Sequence, residues 1–206
     1  KKEKESLGIF LSRLNKFYYN KILIVDKNDK TNYQKIVKKS KNTKIYLSKK
    51  TGYGNALIEG INIINTKYFC IINADGSMNP TEIKGMMKLT RSNSFIFGSR
   101  YMDGALSQDD TIITFIGNKI FTFIGNFFFS LTISDILYTF VLGNTQKANN
   151  LQLKEKSFSF CVELPILTKK SKHKLISVPS HERARIAGKK KVNEFKDGFL
   201  ILINML

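Results

Sequence analysis

Asn73-Ala74-Asp75-Gly76 follows the apolar stretch Tyr68–Ile72 and closes it with an acidic turn. A carboxylate delivered by a strand to the edge of an α/β sheet can hold a divalent cation and, through it, a diphosphate. Asp75 supplies one such carboxylate. Asn73 offers a carbonyl oxygen without charge, so cation affinity is expected to fall below that of a turn with two carboxylates. The plain alternative is a turn that only ends the strand, because Asp and Gly favour turns. The basic run Arg183, Arg185, Lys189, Lys190 and Lys191 is a second chemical candidate. It can neutralise phosphate oxygens, or it can be a solvated charge run.

These residues need elements that position them. Apolar strands alternate with amphipathic helices along the chain, the pattern of a mostly parallel sheet covered on both faces. Leu7, Phe10, Leu11, Leu14 and Phe17 make a helical stripe, and Lys21–Val25 reads as a buried strand ending at Asp26. Lys44–Leu47 is a short strand. Leu57, Ile61 and Ile64 mark one face of a helix opened by Gly52 and Gly54. After the acidic turn, Asn79 reads as an N-cap, with Pro80 at the first helical position and Glu82 at the third. Ser94–Phe97 and Leu175–Val178 are strands, Ile112–Leu131 is a long apolar helix, and Phe195, Phe199, Leu202 and Leu206 form a closing one. Asp26 and Asp75 both fall at strand ends, on the carboxyl edge where open α/β sheets bind ligands. A helix ahead of the first strand is unusual for a nucleotide-binding α/β domain, so a first strand is expected to be missing from this chain.

Composition narrows the partners. The chain has 206 residues, 42% of them hydrophobic, enough for one globular unit over 1–206. Its 34 Lys and Arg against 16 Asp and Glu give +18, which favours nucleotide diphosphates, anionic lipid headgroups or nucleic acid. The basic residues are dispersed and match no RRM, KH or zinc-finger pattern, which leaves a basic nucleic-acid-binding protein as the weaker alternative. Cys70 and Cys161 have no metal-site spacing and read as buried thiols in a reducing compartment. His173 lies in a lysine-rich run and reads as a surface residue, while His181 adjoins Glu182. The uncharged run Ile120–Ser134 is shorter than the ~20 residues needed to cross a bilayer. Its helix reads either as a core element or as an interfacial helix in the headgroup plane over 112–131.

Several motifs occur together in a recognisable order. Gly52-Tyr53-Gly54-Asn55-Ala56-Leu57, Asn73-Ala74-Asp75-Gly76 with Pro80 and Glu82, and Gly98-Ser99-Arg100-Tyr101 resemble the serial motifs of family 2 glycosyltransferases. The similarity is greatest to the dolichol-phosphate or polyprenyl-phosphate mannose and glucose synthases. Ile24-Val25-Asp26 is similar to the family's early Val-Asp-Asp turn, and Ser134-Asp135 to its acidic position before the acceptor region. Glu163 stands where the family has Glu ahead of its last strand, and Arg185-Ile186-Ala187-Gly188 with Lys191 resembles the late Arg-x-x-Gly-x-Ser-Lys element.

The resemblance implies a GT-A-like, Rossmann-like fold. It also implies hexose transfer from UDP- or GDP-hexose to polyprenyl phosphate, with Mg²⁺ or Mn²⁺, at the cytoplasmic face of a membrane in cell-envelope glycan synthesis. It assigns Asp75 to the metal and Asp135 to catalysis as a base toward an alcohol acceptor. Substrate contacts fall to Asp26, Gly52, Gly54, Asn73, Arg100, Glu163, Arg183, Arg185 and Lys191. Lys27 in place of the second acid of the early turn, Asp29 at the usual Ser, Thr31 at a later Asp, Lys190 for Ser, and Asn73 depart from the pattern. Those departures leave a non-catalytic nucleotide-sugar-binding domain as the other alternative.

Overall fold

The computed structural model describes residues 3–17, 19–91, 93–187 and 194–205. The chain begins with α1 (Glu3–Leu14), β1 (Lys21–Val25), α2 (Gln34–Val37), β2 (Thr43–Leu47), α3 (Tyr53–Asn62), β3 (Tyr68–Ile71) and α4 (Glu82–Lys88). It continues through β4 (Ser94–Ser99), β5 (Leu106–Ser107), α5 (Ile112–Phe129), β6 (Val141–Asn144) and α6 (Thr145–Asn149). It ends with α7 (Phe160–Lys170), β7 (Lys174–Pro179), β8 (His181–Glu182) and α8 (Glu194–Met205).

The central sheet has the order β3-β6-β4-β7. β4 and β7 pair in parallel from Ser94↔Lys174 to Ser99↔Pro179, while β6 runs antiparallel to both β3 and β4. With β6 reversed between them, β3 and β4 run the same way. The carboxyl ends of β3, β4 and β7 therefore open on one edge, and the segment entering β6 returns to it. The expected mostly parallel sheet is found with one reversed strand inserted. β1 and β2 form a separate parallel pair, as do β5 and β8.

Side chains alternate across the central sheet with the two-residue period of a strand. Phe95 and Phe97 of β4, Phe69 and Ile71 of β3, and Val141 of β6 pack with Phe160 and Leu164 of α7 and Met205 of α8. Ile96, Cys70 and Leu142 point to the other face, toward Leu7, Phe10 and Leu14 of α1 and Met86 of α4. Both faces are covered, as the continuous apolar strands require. Phe95, Phe140 and Phe160 are fully enclosed, each burial contributing roughly 1.5–3 kcal/mol.

Two expected helix ends shift. α4 begins at Glu82, not at Pro80, after a turn in which Glu82 N donates to Asn79 O (3.2 Å) and Ile83 N to Pro80 O (3.3 Å). Asn79 Oδ1 accepts from Thr81 N at 3.3 Å, so it caps that turn and not the helix. Glu82 sends its carboxylate across the fold, accepting from Ser180 Oγ (2.6 Å) and His181 N (3.0 Å). α5 opens with a capping box between Thr111 and Thr114 and stops at Ser130, whose φ of 53° is left-handed. Cys70 and Cys161 are free thiols, and burial pushes each up to about 12.

Candidate active site

The acidic turn sits at the carboxyl edge of β3 and is built around Asp75. Oδ1 of Asp75 accepts from Ser77 N (3.1 Å) and Ser77 Oγ (2.9 Å), fixing the carboxylate in the turn. Gly76 adopts φ 82°, and a Cβ there would lie 2.3 Å from Ile186 Cδ1. Only glycine satisfies both the backbone conformation and that approach. The chain after β8 lies across the turn as a strap: Arg183 N donates to Ser77 O (2.8 Å) and Ile186 N to Asp75 O (3.0 Å). From the other side, Arg13 Nη1 reaches Gly76 O at 3.5 Å.

Arg185 of the strap connects two carboxylates. Its Nη1 lies 3.7 Å from Asp75 Oδ2, while Nε (2.9 Å) and Nη2 (2.8 Å) donate to Asp109 Oδ2. Burial alone would lower the Arg185 pKa, but Asp109 and then Asp75 outweigh it and hold it above the ordinary value. Asp75 and Arg185 are thus brought together, and Arg183 joins the same turn through its backbone.

Beside this turn lies a buried ionic cluster centred on Arg100, at the end of β4. Arg100 donates through Nε to Asp135 Oδ2 (2.7 Å), through Nη2 to Asp135 Oδ1 (3.0 Å), and through its backbone N to Oδ2 (3.2 Å). Its Nη1 also meets Asp110 Oδ1 (3.3 Å) and Glu182 Oε2 (3.5 Å). Tyr101 OH donates to Asp110 Oδ2 and accepts from Asn118 Nδ2 (2.7 Å), and Ser107 Oγ donates to Glu182. The guanidinium also lies over the rings of Tyr101 and Tyr138. The Glu182 pKa is raised above the ordinary carboxylate value. Burial is the main cause and Asp110 and Asp109 add to it, while Arg100 opposes. The neighbours Asp109 and Asp110, and Glu182 and Arg183, tie this cluster to the strap.

That geometry corrects the expected roles of Asp135 and Arg100. The Asp135 carboxylate is fully out of solvent and gripped by a bidentate guanidinium, so it holds Arg100 in place and presents no free face to an acceptor hydroxyl. Arg100 is itself nearly buried, with its side chain 9% exposed, and its guanidinium is engaged by Asp135, Asp110 and Glu182.

The glycines that open α3 also do something other than expected. Gly54 N (3.1 Å) and Asn55 N (3.4 Å) both donate to Lys156 O, so these helix-start amides are already taken and do not cradle a phosphate. A Cβ on Gly54 would stand 2.1 Å from Glu155 O, and one on Gly52, with φ 111°, 2.4 Å from Lys156 O. Gly52 and Gly54 admit the backbone of the 154–157 loop. Glu163 fastens that loop, accepting from Lys154 N (2.7 Å) and Glu155 N (3.0 Å), which corrects its expected contact with substrate. The packed loop seats Tyr53 on the Phe158 ring, and Tyr53 OH reaches Thr139 Oγ1 and, at 3.4 Å, Asn73 Oδ1.

Asp26 makes local bonds, accepting from Asn28 N (2.8 Å) at the end of β1. Lys191, with Lys189 and Lys190, lies outside the described residues. His173 faces Asn93 and stacks on Phe95, and burial lowers its pKa, in keeping with a packing role. Sequence reasoning missed Asp109, Asp110, Glu182 and Tyr53. The one signal for the first two was an acidic pair directly before the Thr111 cap.

For a divalent cation, the turn supplies one carboxylate, Asp75, with Asn73 Oδ1 nearby. Among the described residues no cluster of three or more His, Cys, Asp or Glu side chains is placed to hold a metal. Such a donor set fits Mg²⁺ only in the mode where one protein carboxylate is joined by substrate phosphate oxygens and water, not a cage made by protein alone.

The sheet order, the helices on both faces and the acidic turn at the carboxyl edge define a GT-A-like α/β fold. Across 97% of this chain and 85% of the other, it is similar in structure to the 4-diphosphocytidyl-2C-methyl-D-erythritol synthase of Anaerococcus prevotii DSM 20548, with a TM-score of 0.56 and 13% identity. Residues 2–151 match the model of glycosyl transferase family 2, and the chain belongs to that family. The strap and the last two helices lie beyond the matched residues. A search of curated proteins returns no match.

Proposed function

We propose that this chain transfers a hexose from a nucleoside-diphosphate sugar to an acceptor, with polyprenyl phosphate as that acceptor. The observation that carries the reading is the strapped turn, in which Asp75 and Arg185 meet at the carboxyl edge of the sheet. Family membership supports the donor class, and the diphosphocytidyl group in the name of the structural relative is of the same chemical kind.

Transfer forms a bond from the anomeric carbon to an acceptor oxygen and breaks the bond from that carbon to the diphosphate. A phosphate acceptor is already ionised near neutral pH, so the reaction needs positioning and charge neutralisation more than a base. Arg183 and Arg185 supply positive charge above the turn. Arg100, fixed by Asp135, holds the 107–110 loop through Asp110, and with it the Asp109 partner of Arg185. Asp75 with Asn73 would hold Mg²⁺ or Mn²⁺, which neutralises the leaving diphosphate when bound.

The test supplies UDP-glucose and GDP-mannose separately with polyprenyl phosphate and Mg²⁺ and follows glycosylated lipid. Product that disappears in Asp75→Ala supports the reading; no product with either donor counts against it. Asn73 and the Asp75–Arg185 pair favour a second reading, a nucleotide-sugar-binding domain without turnover. Calorimetry showing nucleotide binding with no transfer selects it.

A further inference from the structure

α5 is apolar on more than the side it packs with, and leaves a broad apolar face outside the fold. It buries Asn118, Thr122 and Gly125 and packs Phe121, Ile124 and Phe129 partly buried on the core, while Ile112, Ile116, Phe123 and Phe127 stand 80%, 51%, 66% and 68% exposed. A surface helix normally buries its apolar stripe and exposes its polar one. The inward contacts are specific. Asn118 bonds Tyr101 OH at 2.7 Å, Thr122 Oγ1 accepts from Ile136 N at 3.1 Å, and Gly125 meets Ile136 and Leu131. The helix is therefore held by these polar contacts together with Phe121, Ile124 and Phe129, and a second apolar face is left outward. α8 packs beside it, with Gly198 against Phe121 and Met205 near Gly125, and carries its own exposed Phe199 (65%) and Ile203 (52%).

Charge selects the occupant. α5 contains no Asp or Glu, and the two acids just before it, Asp109 and Asp110, are turned into the fold toward Arg185 and Arg100. Basic side chains flank the apolar rings: Lys119 lies over Phe115 and Lys170 over Phe129. The whole chain carries +18. Apolar side chains framed by lysines suit the boundary between acyl chains and anionic headgroups, where burial and electrostatic attraction add. A second copy of the chain would bring equal positive charge to the same face. We propose that the outward face of α5, flanked by α8, lies on an anionic bilayer surface. Because the inner side of α5 is bonded to the domain, it rests on the bilayer and does not cross it.

The inference stands apart from the donor chemistry, because vesicle binding reports the surface and sugar transfer reports the site. The test is flotation of the full chain with vesicles of phosphatidylcholine alone and of phosphatidylcholine with phosphatidylglycerol. Binding is expected to the anionic vesicles, and to weaken by about tenfold in Phe123→Ser/Phe127→Ser and again in Lys119→Glu/Lys170→Glu. Both pairs replace outward side chains, and an unchanged thermal melt verifies that the fold survives. Equal binding to both vesicle types, or none to either, overturns the proposal. So does a dimer, seen by light scattering without lipid, that Phe123→Ser/Phe127→Ser dissociates.

Discussion

Asp75 and its neighbours carry the most direct residue-level predictions. Asn73→Asp would place a second carboxylate at the turn, and Mn²⁺ affinity of the free protein is expected to rise on the order of tenfold by calorimetry; an unchanged affinity would mean that the cation does not use this turn. Asp135→Asn leaves Arg100 without its bidentate partner in a buried site and is expected to cost about 3–5 kcal/mol in urea unfolding. Asp29 shows the pH dependence of a lighter contact. Hydrogen bonding by Thr31, helped by Tyr33 and opposed by desolvation, lowers its pKa from 3.8 to about 2. A carboxylate with a lowered folded pKa contributes stability above its unfolded value and loses it as pH falls through the folded one. Asp29→Asn should therefore cost less than about 1 kcal/mol near neutrality, because solvent screens the site. The wild type and the variant should converge as pH drops from 3.8 toward about 2, read from urea midpoints. At this scale the acidic turn was legible because Asp75 ends an apolar run. Glu182 was not, since nothing local reveals that a carboxylate beside two basic residues turns inward to Arg100.

At the scale of elements, the glycines separate packing from chain freedom. Gly54→Ala drives a Cβ to 2.1 Å from Glu155 O, and because backbone cannot step aside as a side chain can, a loss of roughly 1–3 kcal/mol is expected. Gly85, inside α4, has open space where a Cβ would stand, with nothing within 4 Å, so Gly85→Ala should gain about 0.5–1 kcal/mol from helix propensity. Opposite shifts in melting temperature check the pair. The same contacts explain what could be read in advance. β1, β3, β4 and β7 announced themselves as apolar runs, and α3 by its i, i+4, i+7 stripe. β6 did not, because Val141–Asn144 is four residues long and contains Gly143, there because a Cβ would meet Phe95 at 2.5 Å. α7 was hidden by Pro165 in its interior and by burial on nearly every side, which erases the polar face that marks an amphipathic helix. α5 was visible as apolar. Which of its apolar sides faces the core was not, since only tertiary contacts reveal that Asn118 and Thr122 point inward beside Phe121 and Ile124.

In the whole molecule, the strap links parts distant in sequence: the turn after β3, the loop before α5, and the corner between β7 and β8. Glu82 pins that corner through Ser180 and His181, Arg183 and Ile186 bond the turn, and Arg185 bridges Asp75 to Asp109. A diphosphate entering at Asp75 would compete with Asp75 and Asp109 for the Arg185 guanidinium, yet it need not disturb Glu82, which bonds residues on the far side of Arg183. Nucleotide binding should therefore be read along the strap. In hydrogen exchange with UDP or GDP and Mg²⁺, the amides of Ile186 and Ser77 are expected to change protection together, while those of Ser180 and His181 stay as they were. Arg185→Ala should weaken nucleotide binding and uncouple the two amides even if the fold melts at the same temperature. Identical exchange of residues 183–187 with and without saturating nucleotide would separate the strap from the donor site, and leave Asp75 to act without Arg185.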